Sequence, residues 1–212
     1  MPVICRQKQT EKPIGSMEKD FDLFSINPED KVAGSGKVLI SEPFLADSFF
    51  SRSVVYMVEH NEKGSVGFIL NKSLNMRVEK TIDGFGNFSS DISMGGPVAA
   101  NTLHYIHTLG DMIPGSLPVE DGLFWGGDID TIKKLCSRGV VDPGQIRFFL
   151  GYSGWNEGQL DAELAENSWV IAPISAATVM ASRDEDSWKT ILRGTRKRYK
   201  LWADFPESPE MN

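Results

Sequence analysis

The stretch closest in form to a catalytic nucleophile is Phe148-Phe149-Leu150-Gly151-Tyr152-Ser153-Gly154-Trp155. A hydrolase elbow presents its serine on a tight strand-to-helix turn, in the pattern G-x-S-x-G. Here Trp155 stands where the second glycine belongs, and Gly154 comes one place early. That fold also takes its base from a histidine after the serine, whereas His60, His104 and His107 all precede it. Other triads use other chain orders, so a hydrolase centred on Ser153 stays as the enzymatic alternative and a structural turn is preferred.

His104-x-x-His107 is the one spacing that invites a metal. On a strand, an offset of three puts the two rings on opposite faces. No third ligand stands at zinc spacing and H-E-x-x-H is absent, so no metal or other cofactor is expected. Gly34-Ser35-Gly36-Lys37 leads into a strand and lacks the phosphate-loop spacing. At Gly126-Gly127-Asp128 an aspartate occupies the helix start and would repel a phosphate. Arg193, Arg196, Lys197 and Arg198, with Lys200 and the aromatics Tyr199 and Trp202, form a basic segment over 193–202 that could face nucleic acid.

Charge opposes that use. The chain carries 22 basic and 29 acidic side chains, −7 overall, which repels phosphate backbones and anionic membranes unless cations gather on one face. No apolar run is long enough to span a bilayer. The two cysteines, Cys5 and Cys136, are not expected to pair, and a reduced compartment follows. The expected location is cytoplasmic.

The elements that must position these residues read as mixed α and β structure. Residues 1–16 are polar and aperiodic, a flexible leader, and 17–212 are expected to form one domain. Met17, Phe21 and Phe24 suggest a short helix ending near Ile26. Strands are expected at Lys37–Ser41, Ser53–His60 and Ser65–Asn71, the last two joined by a turn containing Gly64. Val54–Val58 is apolar throughout, as for a strand covered on both faces. Further strands are expected at Leu103–Leu109, Val119–Trp125, Ile146–Tyr152 and Trp169–Ala172. Helices are expected after the N-cap Asp128, over Trp155–Ala165 and over Asp184–Arg193. The pairs Gly95-Gly96 and Gly126-Gly127 are read as places of sharp turning and close packing.

Four stretches, taken in order, resemble a known family: Gly36–Ile40 with Phe50–Val55; Glu59–Gly67 to Asn71; Gly95-Gly96-Pro97-Val98; and Gly151–Trp155 through Gly158-Gln159-Leu160 to Glu163. They are similar to the YqgE/AlgH family of bacterial proteins over residues 36–204. The resemblance implies an α+β fold with a bent, branching mixed or antiparallel sheet, folded into a partial barrel with flanking helices. It supplies no catalytic residue. Some members carry the label of transcriptional regulator. The family-matched polar and aromatic residues His60, Asn71, Tyr152, Trp155, Gln159 and Glu163 are the candidate ligand- or partner-binding set. The leading expectation is a non-enzymatic binding or regulatory protein acting on a small molecule or a protein. A DNA-associated regulator using 193–202 is the other alternative.

Overall fold

In the computed structural model, residues 24–207 are described. The expected leader and most of the expected Met17–Ile26 helix lie outside them, and Phe24–Ile26 are not helical.

Among the described residues, ten strands form one sheet: β1 Lys37–Ser41, β2 Val54–Asn61, β3 Gly64–Ile69, β4 Ser73–Arg77, β5 Asp91–Met94, β6 Val98–His107, β7 Leu117–Pro118, β8 Phe124–Trp125, β9 Ile146–Asn156 and β10 Trp169–Pro173. The order is β10-β1-β2-β3-β9-β6-β8-β7, with β4 and β5 as a side branch. The branch arises at β9. Its residues 148–150 pair in parallel with β5, whereas 153–156 pair antiparallel with β3. The opposite edge of β9 follows β6. The fold is α+β and the sheet is mixed and branched. It ends at β10 and β7, so no barrel closes.

Helices cover both faces. They are α1 Val78–Thr81, α2 Ile129–Ser137, α3 Gln159–Ala165, α4 Ala176–Ala181, α5 Asp186–Gly194 and α6 Lys197–Lys200. Val54, Tyr56 and Val58 of β2 pack with Val179, Trp188, Leu192 and Tyr199 on one face. Val55 and Met57 pack with Leu160, Leu164 and Trp169 on the other. The unbroken apolar run of β2 is thus explained by cover on two sides. A third cluster joins α2 to Ile92, Tyr105, Ile146 and Phe148. Asp128 accepts the Thr131 N–H at 2.8 Å as the N-cap of α2. No helix among the described residues is long and apolar enough to cross a membrane.

Three expected elements change. Val119–Trp125 is a hairpin rather than a strand: Asp121 (φ 52°) and Gly122 (φ 75°) make the turn between β7 and β8. Such an Asp-Gly pair supports the left-handed pair of a primed turn. The expected Trp155–Ala165 helix starts only at Gln159, because β3 holds residues 153–156 in the ladder. For the same reason Ser153 lies within a strand and not at a turn apex.

Arg147 on β9 belongs to none of the motifs read from the sequence. It is fully buried and donates to Val179 O (2.5 Å), Leu70 O (2.7 Å) and Ser93 Oγ (3.3 Å). Burial pushes its guanidinium down to about 9. A charged side chain, held by carbonyls, thereby ties the fork in the sheet to α4.

Candidate functional site

The fork is built by two glycine-rich motifs packed backbone on backbone. A Cβ at Gly95 would lie 2.2 Å from Gly151 O, and one at Gly96 would lie 2.3 Å from Tyr152 O. No side chain fits there, which explains Gly95-Gly96 and Gly151 together. The Gly126-Gly127 pair behaves differently. Both residues have positive φ, but only Gly127 is crowded, since a Cβ there would lie 2.6 Å from the Ile113 side chain. Ser153 is fully buried at the fork and its hydroxyl donates to Gly95 O at 3.0 Å.

From the fork, β9 runs to Trp155 and the chain turns through Gly158 (φ 71°) into α3. Gln159 and Glu163 then stand one helical turn apart on one face. Glu163 is the hub. Its Oε2 accepts the indole N–H of Trp155 at 2.9 Å and that of Trp169 at 2.7 Å. Its Oε1 accepts the Gln159 amide at 3.1 Å. The Gln159 carbonyl accepts the Asn156 N–H, which closes the turn. Both indoles are buried, meet edge-to-face at 6.1 Å and carry Phe50 against them. One carboxylate thus joins β9, α3 and β10.

Asn71 is also a tie. Fully buried, it accepts the Val54 N–H and donates to Arg52 O, both at 2.9 Å. That contact holds Arg52 in its left-handed conformation (φ 48°) beside β2.

His60 and Tyr152 are placed otherwise. His60 is half-buried and its Nδ1 lies 2.8 Å from Ser65 Oγ, its cross-strand neighbour. A groove of about 550 Å³ opens beside it, between the β2–β3 turn and the start of α3. His60, Ser65, Glu157, Gly158 and Asp161 line it. Tyr152 lies in an adjoining groove of about 340 Å³ with Val98, Lys63 and Asn156, and its ring meets His104 edge-on. The six candidate residues therefore divide. Trp155, Glu163 and Asn71 are internal ties, whereas His60, Tyr152 and Gln159 reach the surface of one end of the sheet. Ser65, which holds His60, lies within the Glu59–Gly67 stretch without being one of the six candidates; its position opposite His60 follows from the hairpin register.

The other histidines are separated by β6 as the offset of three requires. His104 packs on Phe68, and burial lowers its pKa. His107 is fully buried on the opposite face, accepts the Leu109 N–H at Nδ1 and faces Gly126 O and Ser116 Oγ with Nε2. Burial lowers its pKa also, against a smaller opposing effect of the Gly126 carbonyl. Among the described residues, no group of three or more His, Cys, Asp or Glu side chains could hold a metal ion. In the basic segment, Arg193 pairs with Asp204 at 2.8 Å, and Arg196 with Glu29 at 2.6 Å and Asp30 at 2.9 Å. Arg198 donates to Asn27 and Ser25, while Lys197 is exposed.

This arrangement of motifs has a counterpart in known proteins, since the model of the AlgH-like family matches residues 38–200. The chain belongs to the AlgH-like family. A UPF0301 protein of Bacteroides thetaiotaomicron is 43% identical over 197 residues, covering 92% of this chain and all of the relative. One from Chlorobium limicola is 42% identical over 187 residues, covering 88% of this chain and all of the relative. The solution structure of the AlgH protein from Pseudomonas aeruginosa superimposes with a TM-score of 0.65 at 26% identity, covering 81% of this chain and 93% of that one. A crystal structure of a Corynebacterium diphtheriae protein gives the same TM-score at 20% identity, covering 82% and 93%, and shows the fold alone. Gly95-Gly96, Gly151 and Glu163, which build the fork and the hub, lie within the matched residues.

Proposed function

We propose that this AlgH-like chain is a binding or regulatory protein rather than a catalyst, and that its contact surface is the groove between the β2–β3 turn and α3. The observation that carries this is the division of labour around Glu163. Its carboxylate is spent on two indoles and an amide, so it acts as a frame. The frame fixes the start of α3, whose Asp161 lines the groove with Glu157 and His60, and leaves Gln159 exposed next to it in the chain. A groove of this size lies in the range that small ligands occupy.

The potential nucleophile supports the same reading, because Ser153 is buried with its hydroxyl committed to Gly95 O. The basic segment favours a partner other than nucleic acid. Its three arginines turn to carboxylates and polar groups of the same chain, and the groove rim is acidic, unlike a phosphate-binding surface.

The test is site-specific photocrosslinking in the protein's own cells. A photoreactive residue at position 157 should give a defined adduct. The same residue at Val140, an exposed position outside the groove, should not. No adduct at 157, or the same adducts at both positions, would contradict the assignment.

A further inference from the structure

Within the apolar run of β2, Tyr56 alone carries a hydroxyl. It pairs with Val38 of β1 and Phe68 of β3, packs in the core and is 1% exposed. A buried hydroxyl normally finds a hydrogen-bond partner. Among the described residues this one has none, and it is not among the polar atoms sealed away from solvent. Tyr56 lines a pocket of about 320 Å³ together with Glu120 and Asp121. Burial, and then the charges of these two carboxylates, push its ionisation up, so it stays a neutral hydroxyl.

The turn between β7 and β8 brings the two acids. Asp121 Oδ2 accepts the Ala176 N–H at 3.0 Å, which fixes the turn against α4. Glu120 lies across Gly36, where a Cβ would overlap its carboxylate. The glycine ahead of β1 thus leaves the space that the carboxylate fills. Among the described residues no ion pair reaches either acid. Lys37 also lines the pocket, but its ammonium donates to Val32 O at 2.9 Å. Leu123 and Ile174 supply apolar wall.

We infer that this pocket binds a primary ammonium group carried on a short alkyl stem. The donor count selects that class. An ammonium has three donors and no acceptor. The pocket offers the Tyr56 oxygen, the Glu120 carboxylate and the Asp121 oxygen that Ala176 leaves unused. A phosphate or carboxylate would be repelled by the same two charges. A calcium or magnesium ion takes six or more oxygen ligands, and no metal-holding group of side chains stands among the described residues. The stem would lie on Leu123 and Ile174. The pocket shares no lining residue with the groove beside His60, so the two sites stand or fall separately.

Titration of the full chain with n-butylammonium chloride, followed by NMR at the Tyr56, Asp121 and Ala176 amides, tests this. Saturable shifts are expected below about 50 mM. The uncharged probe n-butanol should bind at least about tenfold more weakly. Glu120→Gln, at an exposed position, should weaken butylammonium at least about tenfold. Tyr56→Phe keeps the ring in the core and should weaken it about threefold to tenfold. A lysine tripeptide that binds more tightly than butylammonium assigns the group to a partner protein, and one that binds more weakly assigns it to a free amine; both support the inference. No saturable shift, equal binding of n-butanol, or parent-like affinity in either variant overturns it.

Discussion

Removing the Glu163 carboxylate should destabilise the fold through the indoles it holds. In Glu163→Ala, the N–H groups of Trp155 and Trp169 lose their acceptor while both rings stay buried. Each unsatisfied buried donor costs about 1–3 kcal/mol. The Gln159 contact is exposed and adds little. The expected loss for the two donors is therefore about 2–6 kcal/mol, at the upper end of single-residue effects. Glu163→Gln keeps one oxygen for the indoles but sets its amide N–H₂ against the Gln159 amide, so a loss of about 1–2 kcal/mol is expected. Urea unfolding followed by tryptophan fluorescence measures both. With a slope of about 2–3 kcal/mol per molar, the alanine variant should unfold about 1 M earlier or more. A midpoint within about 0.2 M of the parent would refute the hub, because two buried indoles cannot lose their acceptor at no cost.

Other perturbations follow from the same geometry. Asn71→Ala strands the Val54 N–H and the Arg52 carbonyl, and thermal unfolding should report a loss of about 2–4 kcal/mol. Gly95→Ala puts a methyl 2.2 Å from Gly151 O, so the fork must open. Poor soluble yield or a loss above about 3 kcal/mol is expected, whereas Gly194→Ala, with open space around it and no positive φ, should cost far less. His107 and His104 have lowered pKa values from burial. The unfolded chain therefore binds protons below about pH 6.5 that the folded chain resists. Their stability is fully present above that value and falls as pH drops through it, by at most about 1.4 kcal/mol per pH unit for each group. Urea midpoints from pH 8 to 5 should show the decline, and His107→Asn should flatten part of it.

Much of this is legible in the residues themselves. The apolar run Val54–Val58 foretells a strand covered on both faces, and Asp128 and Gly139 mark the ends of α2. The resemblance carries the branching sheet. What escapes has long-range causes. Ser153 looks like a turn residue and Trp155 like the start of a helix locally, but pairing with β3 keeps both extended. Asp121-Gly122 is a readable turn signal inside a run that otherwise reads as one strand. The separation of Asn71, Trp155 and Glu163 from His60, Tyr152 and Gln159 depends on which side chains the sheet buries, and no spacing rule distinguishes a tie from a contact. Arg147 lies in an ordinary strand pattern, and only the fork shows why a cation is held there.

The most direct test of the binding account is native mass spectrometry on protein gently purified from its own cells, comparing the parent with His60→Ala and Asp161→Lys. These two substitutions alter the groove and leave the Glu163 hub untouched. The account predicts a reproducible additional mass on the parent that both variants lose while remaining folded. A parent chain that flies bare, or an additional mass unchanged in both variants, would contradict it.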